Sequence, residues 1–315
     1  MILSTQAAHA GPPDLIWPVD CTQGQTCYIE DYVDATPGVG QSDYTCGIKS
    51  RDGHRGTDIV LQDFIMMNAG TDVLAAAPGT VAATRDGMED VAVTDATRDA
   101  IAGKECGNAV RIDHGDGWQT LYCHLKRGSV SVRQGDRVAA GDTLGLIGLS
   151  GLTNIPHLHI SVLKDGALVD PFQPSRRGDA TCGAAEDMLW SVPPEYHRAG
   201  LFTAGMATKV PEFAAIKSGA ARETTADPNQ PLVVYGHVFH AQNGDVLELS
   251  ATGPEGEVFN KTILLKDPKA QLFRAFGRNA PDQGWLPGAY RGMVRLTRQG
   301  TLIAWRHADI TVTSR

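Results

Sequence analysis

Pro156-His157-Leu158-His159-Ile160-Ser161-Val162-Leu163 follows a glycine-rich loop and has the apolar character of a buried β-strand. Successive side chains of a strand point to opposite faces, so His157 and His159 share one face and Leu158 lies on the other. Two such imidazoles can converge on one metal ion, or one can bind the ion while the other faces a substrate. Alone, the pattern more often marks a pair of ordinary strand histidines. A metal site therefore requires further candidate ligands elsewhere in the chain.

Two upstream stretches carry side chains of the same chemistry. His54 and Asp58 are four residues apart, and His124 ends an apolar run that is typical of a strand. Neutral imidazole and carboxylate are ordinary zinc ligands, and a catalytic zinc typically has three protein ligands and one open position. His54 and Asp58 together with His159 can supply these three ligands. His124 and His157 then remain as unligated imidazoles beside the metal.

This arrangement resembles the lysostaphin/LytM-type zinc metallopeptidases, whose signature is H-x-x-x-D followed far downstream by H-x-H. The resemblance covers about residues 50–165 and includes several intervening stretches, namely 73–81, 108–114 and 138–151. By position it implies that His54, Asp58 and His159 hold one Zn²⁺, with His124 and His157 as the catalytic pair. It further implies an antiparallel β-sheet with an open groove, and hydrolysis of peptide bonds in the stem peptides or cross-bridges of peptidoglycan.

Three other functions fit parts of the sequence. A non-catalytic LytM-type activator of a cell-wall amidase typically lacks zinc ligands, whereas all five polar positions are present here. A secreted metalloprotease acting on proteins would share the same site, and only substrate tests separate it. A lipoyl-like carrier is an alternative interpretation of residues 132–144, but no carrier lysine follows at a hairpin tip.

The composition is that of a globular protein, with 42% hydrophobic and 20% charged residues. No apolar run approaches the roughly 20 residues that span a bilayer, so we expect no transmembrane segment. The formal charge is -8, and residues 1–204 carry 15 Lys and Arg against 26 Asp and Glu. This acidic first part argues against nucleic acid as a partner, because phosphate neutralisation requires clustered Lys and Arg.

The six cysteines are even in number and show no C-x-x-C spacing, which indicates disulfides. Cys106 and Cys123 are predicted to pair because they lie on or near two strands of one hairpin. Cys182 is predicted to tie back to the N-terminal segment. For Cys46 we expect a disulfide, with a role in blocking the metal as the less favoured alternative.

The cysteines and the N-terminus both bear on the compartment. Disulfides form in oxidising environments. Residues 6–10 end in the small-x-small pattern of a signal-peptidase site, so residues 1–10 are interpreted as a residual signal peptide, although the apolar region before the site is nearly missing. We therefore expect a periplasmic or secreted protein. We also expect a monomer.

The chain is long enough for two domains, and the predicted fold class is mainly β. Residues 1–48 are predicted to be an irregular, cysteine-containing segment and residues 49–175 the LytM-type peptidase domain. Residues 176–204 are predicted to be a linker with one helix near Ala184 to Leu189. Residues 205–315 alternate as strands separated by turns such as Asn243-Gly244, which predicts an immunoglobulin-like β-sandwich.

Overall fold

The computed structural model describes residues 11–175 and 182–314, and the predicted signal peptide at 1–10 lies outside the described residues. The chain divides into two compact units, residues 1–61 with 66–196, and residues 62–65 with 197–315. The predicted fold class is confirmed, because strands dominate both units and the described helices are short. Among the described residues no helix is long and apolar enough to cross a membrane.

Strands β1 to β10 belong to the first unit. Their bounds are β1 Cys27–Asp31, β2 Thr57–Leu61, β3 Asp72–Leu74, β4 Gly79–Arg85, β5 Asn108–Gly115, β6 Trp118–Leu125, β7 Arg137–Val138, β8 Thr143–Leu146, β9 His157–Lys164 and β10 Ala167–Val169. Helix α1 (Phe64–Ala69) crosses the division between the units, and a 3₁₀ turn spans Arg98–Ile101.

One antiparallel sheet organises the first unit. Its strand order is β1-β2-β9-β6-β5-β4-β7, with β10 paired to β9, while β3 and β8 form a separate two-stranded sheet. One face of the large sheet is apolar and buried, with side chains that include Ile59, Val110, Ile112, Tyr122, Leu158 and Ile160. The opposite face carries His157 and His159 as the strand period predicts, and we call it the groove face.

The predicted hairpin between β5 and β6 is confirmed. Asp116 and Gly117 occupy its tip with φ values of 48° and 77°. Two consecutive residues with positive φ give the turn a backbone twist that matches the twist of the flanking strands. This hairpin fixes the register of β6, which carries His124 at its end.

Two features of the first unit differ from the sequence-based expectations. The helix predicted near Ala184 to Leu189 is wrong, because this stretch is irregular and Leu189 accepts a hydrogen bond from the Leu15 backbone at 2.7 Å. The segment 1–48 is not wholly irregular, because β1 adds an edge strand beside β2. In both places pairing with a distant stretch determines the local structure, which a local pattern does not reveal.

All six cysteines are paired. The predicted Cys106–Cys123 bond is confirmed, and Cys182 joins the N-terminal segment through Cys46, as expected. Cys46 is therefore part of a disulfide, and its sulfur is not free to bind a metal. The third bond, Cys21–Cys27, closes a short loop before β1 and was not predicted.

Strands β11 to β18 and helix α2 belong to the second unit. Their bounds are β11 Gly200–Ala207, α2 Phe213–Ser218, β12 Thr225–Ala226, β13 Leu232–Ala241, β14 Val246–Gly253, β15 Gly256–Leu264, β16 Lys269–Arg278, β17 Gly288–Arg298 and β18 Thr301–Val312. Strand β11 begins inside the stretch that we expected to be a linker.

The second unit is a β-sandwich. One sheet has the order β11-β13-β16 and the other β12-β18-β17-β14-β15. Apolar side chains of both sheets share one core, to which Leu201, Val234, Leu249, Val294 and Ile310 contribute. Its assignment to the immunoglobulin-like class stays a prediction.

Candidate active site

Neighbouring strands bring the predicted ligands together. Strands β2 and β9 pair in a register that sets Asp58 directly opposite His159. His54 lies four residues before Asp58, on the loop that leads into β2. One ligand atom from each of these three residues lies within 4.8 Å of the others, and no further group of this kind occurs within residues 11–175 and 182–314.

Asp58 is the centre of this group. Its Oδ1 lies 2.7 Å from Nδ1 of His159, and its Oδ2 lies 3.0 Å from Nε2 of His54. Burial by itself would raise the pKa of this carboxyl group. The facing imidazoles of His157, His54 and His159 outweigh that effect and hold the pKa of Asp58 well below its usual range. Asp58 is therefore a buried carboxylate anion.

His54 presents an imidazole nitrogen with no hydrogen bond. Its Nδ1 lies 2.7 Å from the backbone carbonyl oxygen of Tyr32, and a carbonyl only accepts, so this nitrogen carries the proton. In the neutral ring Nε2 therefore keeps its lone pair. Nε2 is buried and lies 3.0 Å from Oδ2 of Asp58, with no hydrogen-bond partner among the described residues. A buried lone pair held in this way by a bond on the other ring nitrogen is typical of a metal ligand.

His159 is oriented in a similar manner. The hydroxyl of Ser161 donates to the carbonyl oxygen of Arg55 at 2.6 Å, so its oxygen can accept from Nε2 of His159 at 3.1 Å. This leaves Nδ1 of His159 facing the carboxylate of Asp58. These two atoms are 2.7 Å apart and share a proton in a hydrogen bond, and a metal ion bound to both would replace that proton. The donor set therefore fits a divalent metal of the zinc type.

His124 and His157 form a second pair next to the group. Their ring centroids are 4.6 Å apart, and the ring of His124 lies 6.1 Å from that of His159. Nδ1 of His124 donates to the carbonyl oxygen of Ser150 at 2.7 Å, and Nδ1 of His157 lies 3.0 Å from that of Ile155. In both rings Nε2 is the nitrogen with a free lone pair.

Burial keeps both imidazoles of this pair neutral. Desolvation, followed by the neighbouring His157 and His159, lowers the pKa of His124 well below its ordinary value. Desolvation also lowers the pKa of His157, although the charge of Asp58 opposes it. Near neutral pH both rings are therefore unprotonated at Nε2, the form in which an imidazole can act as a base.

An unusual backbone conformation turns His124 toward the groove. Cys123 pairs directly with His159 and so lies on the groove face, and regular alternation would send the next side chain into the core. His124 instead has φ of 64°, in the left-handed region that side chains other than glycine rarely adopt. Such a residue is more often found at functional sites than in regular strands. Strand alternation alone could not have predicted this orientation.

The loop around Gly107 holds that conformation. The backbone N–H of His124 donates to the carbonyl oxygen of Cys106 at 2.8 Å. A Cβ atom on Gly107 would lie 2.3 Å from the carbonyl oxygen of Ser150, the same oxygen that accepts from His124. Only glycine allows the backbone at position 107 to lie this close to Ser150. The close contact holds the carbonyl oxygen that orients the imidazole of His124.

Arg51 is a site residue that sequence reasoning missed. Its Nη2 donates to Oδ2 of Asp58, and its Nε lies 2.9 Å from Asp31 on β1. The side chain is 59% exposed, so it covers the group from the solvent side. The unpredicted pairing of β1 with β2 places Asp31 there, and no local sequence signal reveals it.

Comparison with known proteins identifies the domain that carries this site. Residues 52–171 match the family model of peptidase family M23. The chain carries a peptidase M23 domain. The matched range contains His54, Asp58, His124, His157 and His159 and ends before residues 197–315 of the second unit.

Individual relatives match parts of this chain. The cell division protein DipM of Caulobacter vibrioides is 38% identical over 68 residues, 22% of this chain and 11% of DipM. The peptidoglycan DD-endopeptidase ShyA of Vibrio cholerae is 31% identical over 117 residues, 37% of this chain and 22% of ShyA. The chain thus spans less than a quarter of the length of these relatives. The catalytic domain of the prophage-encoded M23 protein EnpA of Enterococcus faecalis aligns with a TM-score of 0.31 at 24% identity, over 47% of this chain and 88% of that domain.

Proposed function

We propose that this protein is a zinc-dependent endopeptidase that hydrolyses peptide bonds in peptidoglycan cross-links. The observation that carries the proposal is the buried His54–Asp58–His159 group with an orphaned imidazole nitrogen, next to two neutral imidazoles. The M23 family match supports the peptidase activity, and the name of ShyA supports the substrate class.

In this proposal three side chains hold the metal. His54 would bind through Nε2, Asp58 through its carboxylate and His159 through Nδ1. When bound, zinc supplies Lewis acidity and lowers the pKa of water at the site from about 16 toward 7. The bonds of His54 to Tyr32 and of His159 to Ser161 fix the orientation of both rings.

His124 and His157 would handle the proton. No glutamate base is placed by a motif, so a neutral imidazole has to accept the proton of the attacking water at Nε2. The imidazolium formed in this way would pass the proton on to the leaving amine, and the other imidazole would lie beside the oxygen that becomes negative as the carbonyl is attacked. Their bonds to Ser150 and Ile155 keep the accepting nitrogens directed to the site.

The proposed substrate and the disulfides suggest the same cellular compartment. Three disulfides support an oxidising environment, in which peptidoglycan is also located. We propose a periplasmic or secreted location.

Mass spectrometry of muropeptides tests the function. Purified peptidoglycan is incubated with the protein, with and without a zinc chelator, and the zinc content is measured in parallel. We expect new peptide products that disappear with the chelator and return when zinc is added. Protein substrates are tested in parallel. If only these are cleaved, the substrate is protein and not peptidoglycan. A chain without bound zinc and without products would overturn the proposal in favour of a non-catalytic activator of a cell-wall amidase.

A further inference from the structure

A second concavity lies on the first unit, away from the ligand group. It has a volume of about 310 Å³ and opens between β4, β5, β6 and the loop after the 3₁₀ turn. Its lining combines two arginines and a glutamate with small and apolar side chains: Ala83, Thr84, Arg85, Gly103, Glu105, Cys106, Ala109, Arg111 and Leu121. We call it the arginine pocket.

Strand register places the arginine pocket on the groove face. Leu121 pairs with Ser161, the residue that orients His159. Arg111 pairs in turn with Leu121, and Ala83 with Arg111. Directly paired residues of neighbouring strands project from the same face of a sheet. One continuous face therefore runs from the predicted metal ligands to the arginines.

Sheet geometry gives the distance between the two sites. Arg111 lies on β5, two strands from β9, and its register leads through Leu121 to Ser161, two residues beyond His159. These two offsets separate Arg111 from His159 by about 12 Å. An extended peptide advances about 3.4 Å per residue, so about three or four residues bridge the interval. If a peptide is cut at the histidines and lies across the sheet, a group three or four residues from the cut bond reaches the arginine pocket.

The arginine pocket is positive within an acidic part of the chain. Arg111 is exposed and forms no ion pair with any residue that the structure describes. Nε of Arg85 donates to the carbonyl oxygen of Gly107, which fixes the stem of that side chain. Glu105 accepts from its own loop at Gly103, so one carboxylate stands against two guanidinium groups. Residues 1–204 have by contrast a net charge of -11.

Guanidinium groups point to the chemistry of the ligand. Their planar N–H donors match a carboxylate in two parallel bonds, which a lysine cannot provide. The Cys106–Cys123 disulfide and Leu121 supply an apolar wall beside these donors. The combination suits an acidic group carried on a short aliphatic stem.

We propose that the arginine pocket is a substrate subsite that binds a free carboxylate of the peptide, three or four residues from the bond that is cut. The inference rests on the proposed endopeptidase function. It assigns substrate preference to Arg111 as the main contact, and to Arg85 as the second contact.

Paired substrates test this assignment. Cross-linked muropeptide dimers are prepared with free carboxyl groups, and the same dimers are converted to amides. We expect the wild-type protein to cleave the acid form with a kcat/KM at least tenfold higher, through a lower KM, because a bond between charged groups discriminates by about this factor or more. Arg111→Ala should lose this preference by weakening the acid form only. Arg133→Ala removes an exposed arginine outside the arginine pocket and should behave like the wild type.

The outcomes separate this subsite from the function itself. An unchanged acid preference in Arg111→Ala, with cleavage intact, overturns the subsite and leaves the endopeptidase standing. If neither substrate is cleaved, equilibrium binding of the two dimers by calorimetry decides. Tighter binding of the acid form by the wild type than by Arg111→Ala supports the subsite, and equal affinities overturn it. Equal losses on both substrates would mean a general structural effect and also contradict the assignment.

Discussion

Two buried carboxylates, one in each unit, show how differently the same group can be used. Asp245 of the sandwich accepts two parallel bonds from Arg298 at 2.7 and 2.9 Å and a third from the backbone N–H of Gln242. Asp58 of the M23 domain faces the imidazoles of His54 and His159, whose lone pairs are available for a metal. Asp245 is saturated by fixed donors, whereas Asp58 accepts one bond from Arg51 and otherwise faces imidazoles that can share a cation with it.

The difference teaches which buried charges indicate function. A carboxylate with a complete set of fixed donors needs nothing further and serves the fold. A carboxylate whose neighbours leave a buried nitrogen without a partner is incomplete until an ion binds. The two units differ in the same way. The sandwich is built around an apolar core, whereas the M23 domain carries a polar groove face.

The largest effect is expected from removing a ligand beside Asp58. His159→Ala should lose bound zinc and reduce peptide hydrolysis to background, because two protein ligands hold zinc far less tightly than three. Metal analysis and the muropeptide assay measure both. His307→Ala changes an exposed histidine of the sandwich and should alter neither. Full activity in His159→Ala would refute the ligand assignment.

The next effect separates the ligand group from its neighbouring pair. His124→Ala should keep zinc but lower turnover by about 10²- to 10⁴-fold, the usual contribution of a positioned acid or base. The turnover number and the zinc content are measured on the same preparation. Loss of the metal would instead show that a ligand and a catalytic residue have been exchanged.

The residues of this site and the path of the chain around it differ in how far they could be predicted. The H-x-x-x-D and H-x-H spacings are local patterns, and the resemblance to LytM-type peptidases joined them, so the grouping of His54, Asp58 and His159 could be predicted. Arg51 and its contact with Asp31 could not be predicted, because they depend on β1 joining the sheet from an irregular stretch. The side-chain direction of His124 was inaccessible for another reason, since it depends on a positive φ that a loop distant in sequence imposes.

The fold shows the same division between local and long-range information. The strands β13 to β18 follow apolar alternation and turn residues, so their existence was predictable. The false helix near Ala184 to Leu189 and the start of the missed strand β11 lie between the predicted domains. Pairing with distant chain segments decides the structure there.

A smaller effect is expected at Asp245. Asp245→Ala should lower the free energy of unfolding by about 3 kcal/mol, because it leaves the guanidinium of Arg298 half buried without its partner. It should leave zinc content unchanged, in contrast with His159→Ala. Asp309→Ala is the matched control, because Asp309 pairs with Arg291 through two similar bonds at an exposed position. That control should cost less than about 1 kcal/mol. Equal losses measured by urea denaturation would refute the distinction.

The smallest effect concerns a third buried charge, Lys49 of the first unit. Its Nζ donates to the carbonyl oxygen of Ile29 at 2.5 Å and lies 5.4 Å from the ring centroid of Tyr32. Desolvation, partly offset by Asp31, lowers the pKa of Lys49 to about 8. Above this pH the folded chain has released a proton that the unfolded chain still holds, so stability should rise with pH.

Linkage gives the size and the test of the Lys49 effect. Between pH 8 and pH 10 this residue should add about 2 kcal/mol to the free energy of unfolding, and the gain ends as the pKa of an unfolded lysine is passed. Lys49→Met should remove this rise, while Lys104→Met, at an exposed lysine, should keep it. Urea denaturation at pH 8, 9 and 10 measures the difference between the proteins, which cancels the titration of other groups. Parallel pH profiles for wild type and Lys49→Met would show that the ammonium of Lys49 is satisfied by its partners as fully as the carboxylate of Asp245, and would place it with the charges that serve the fold.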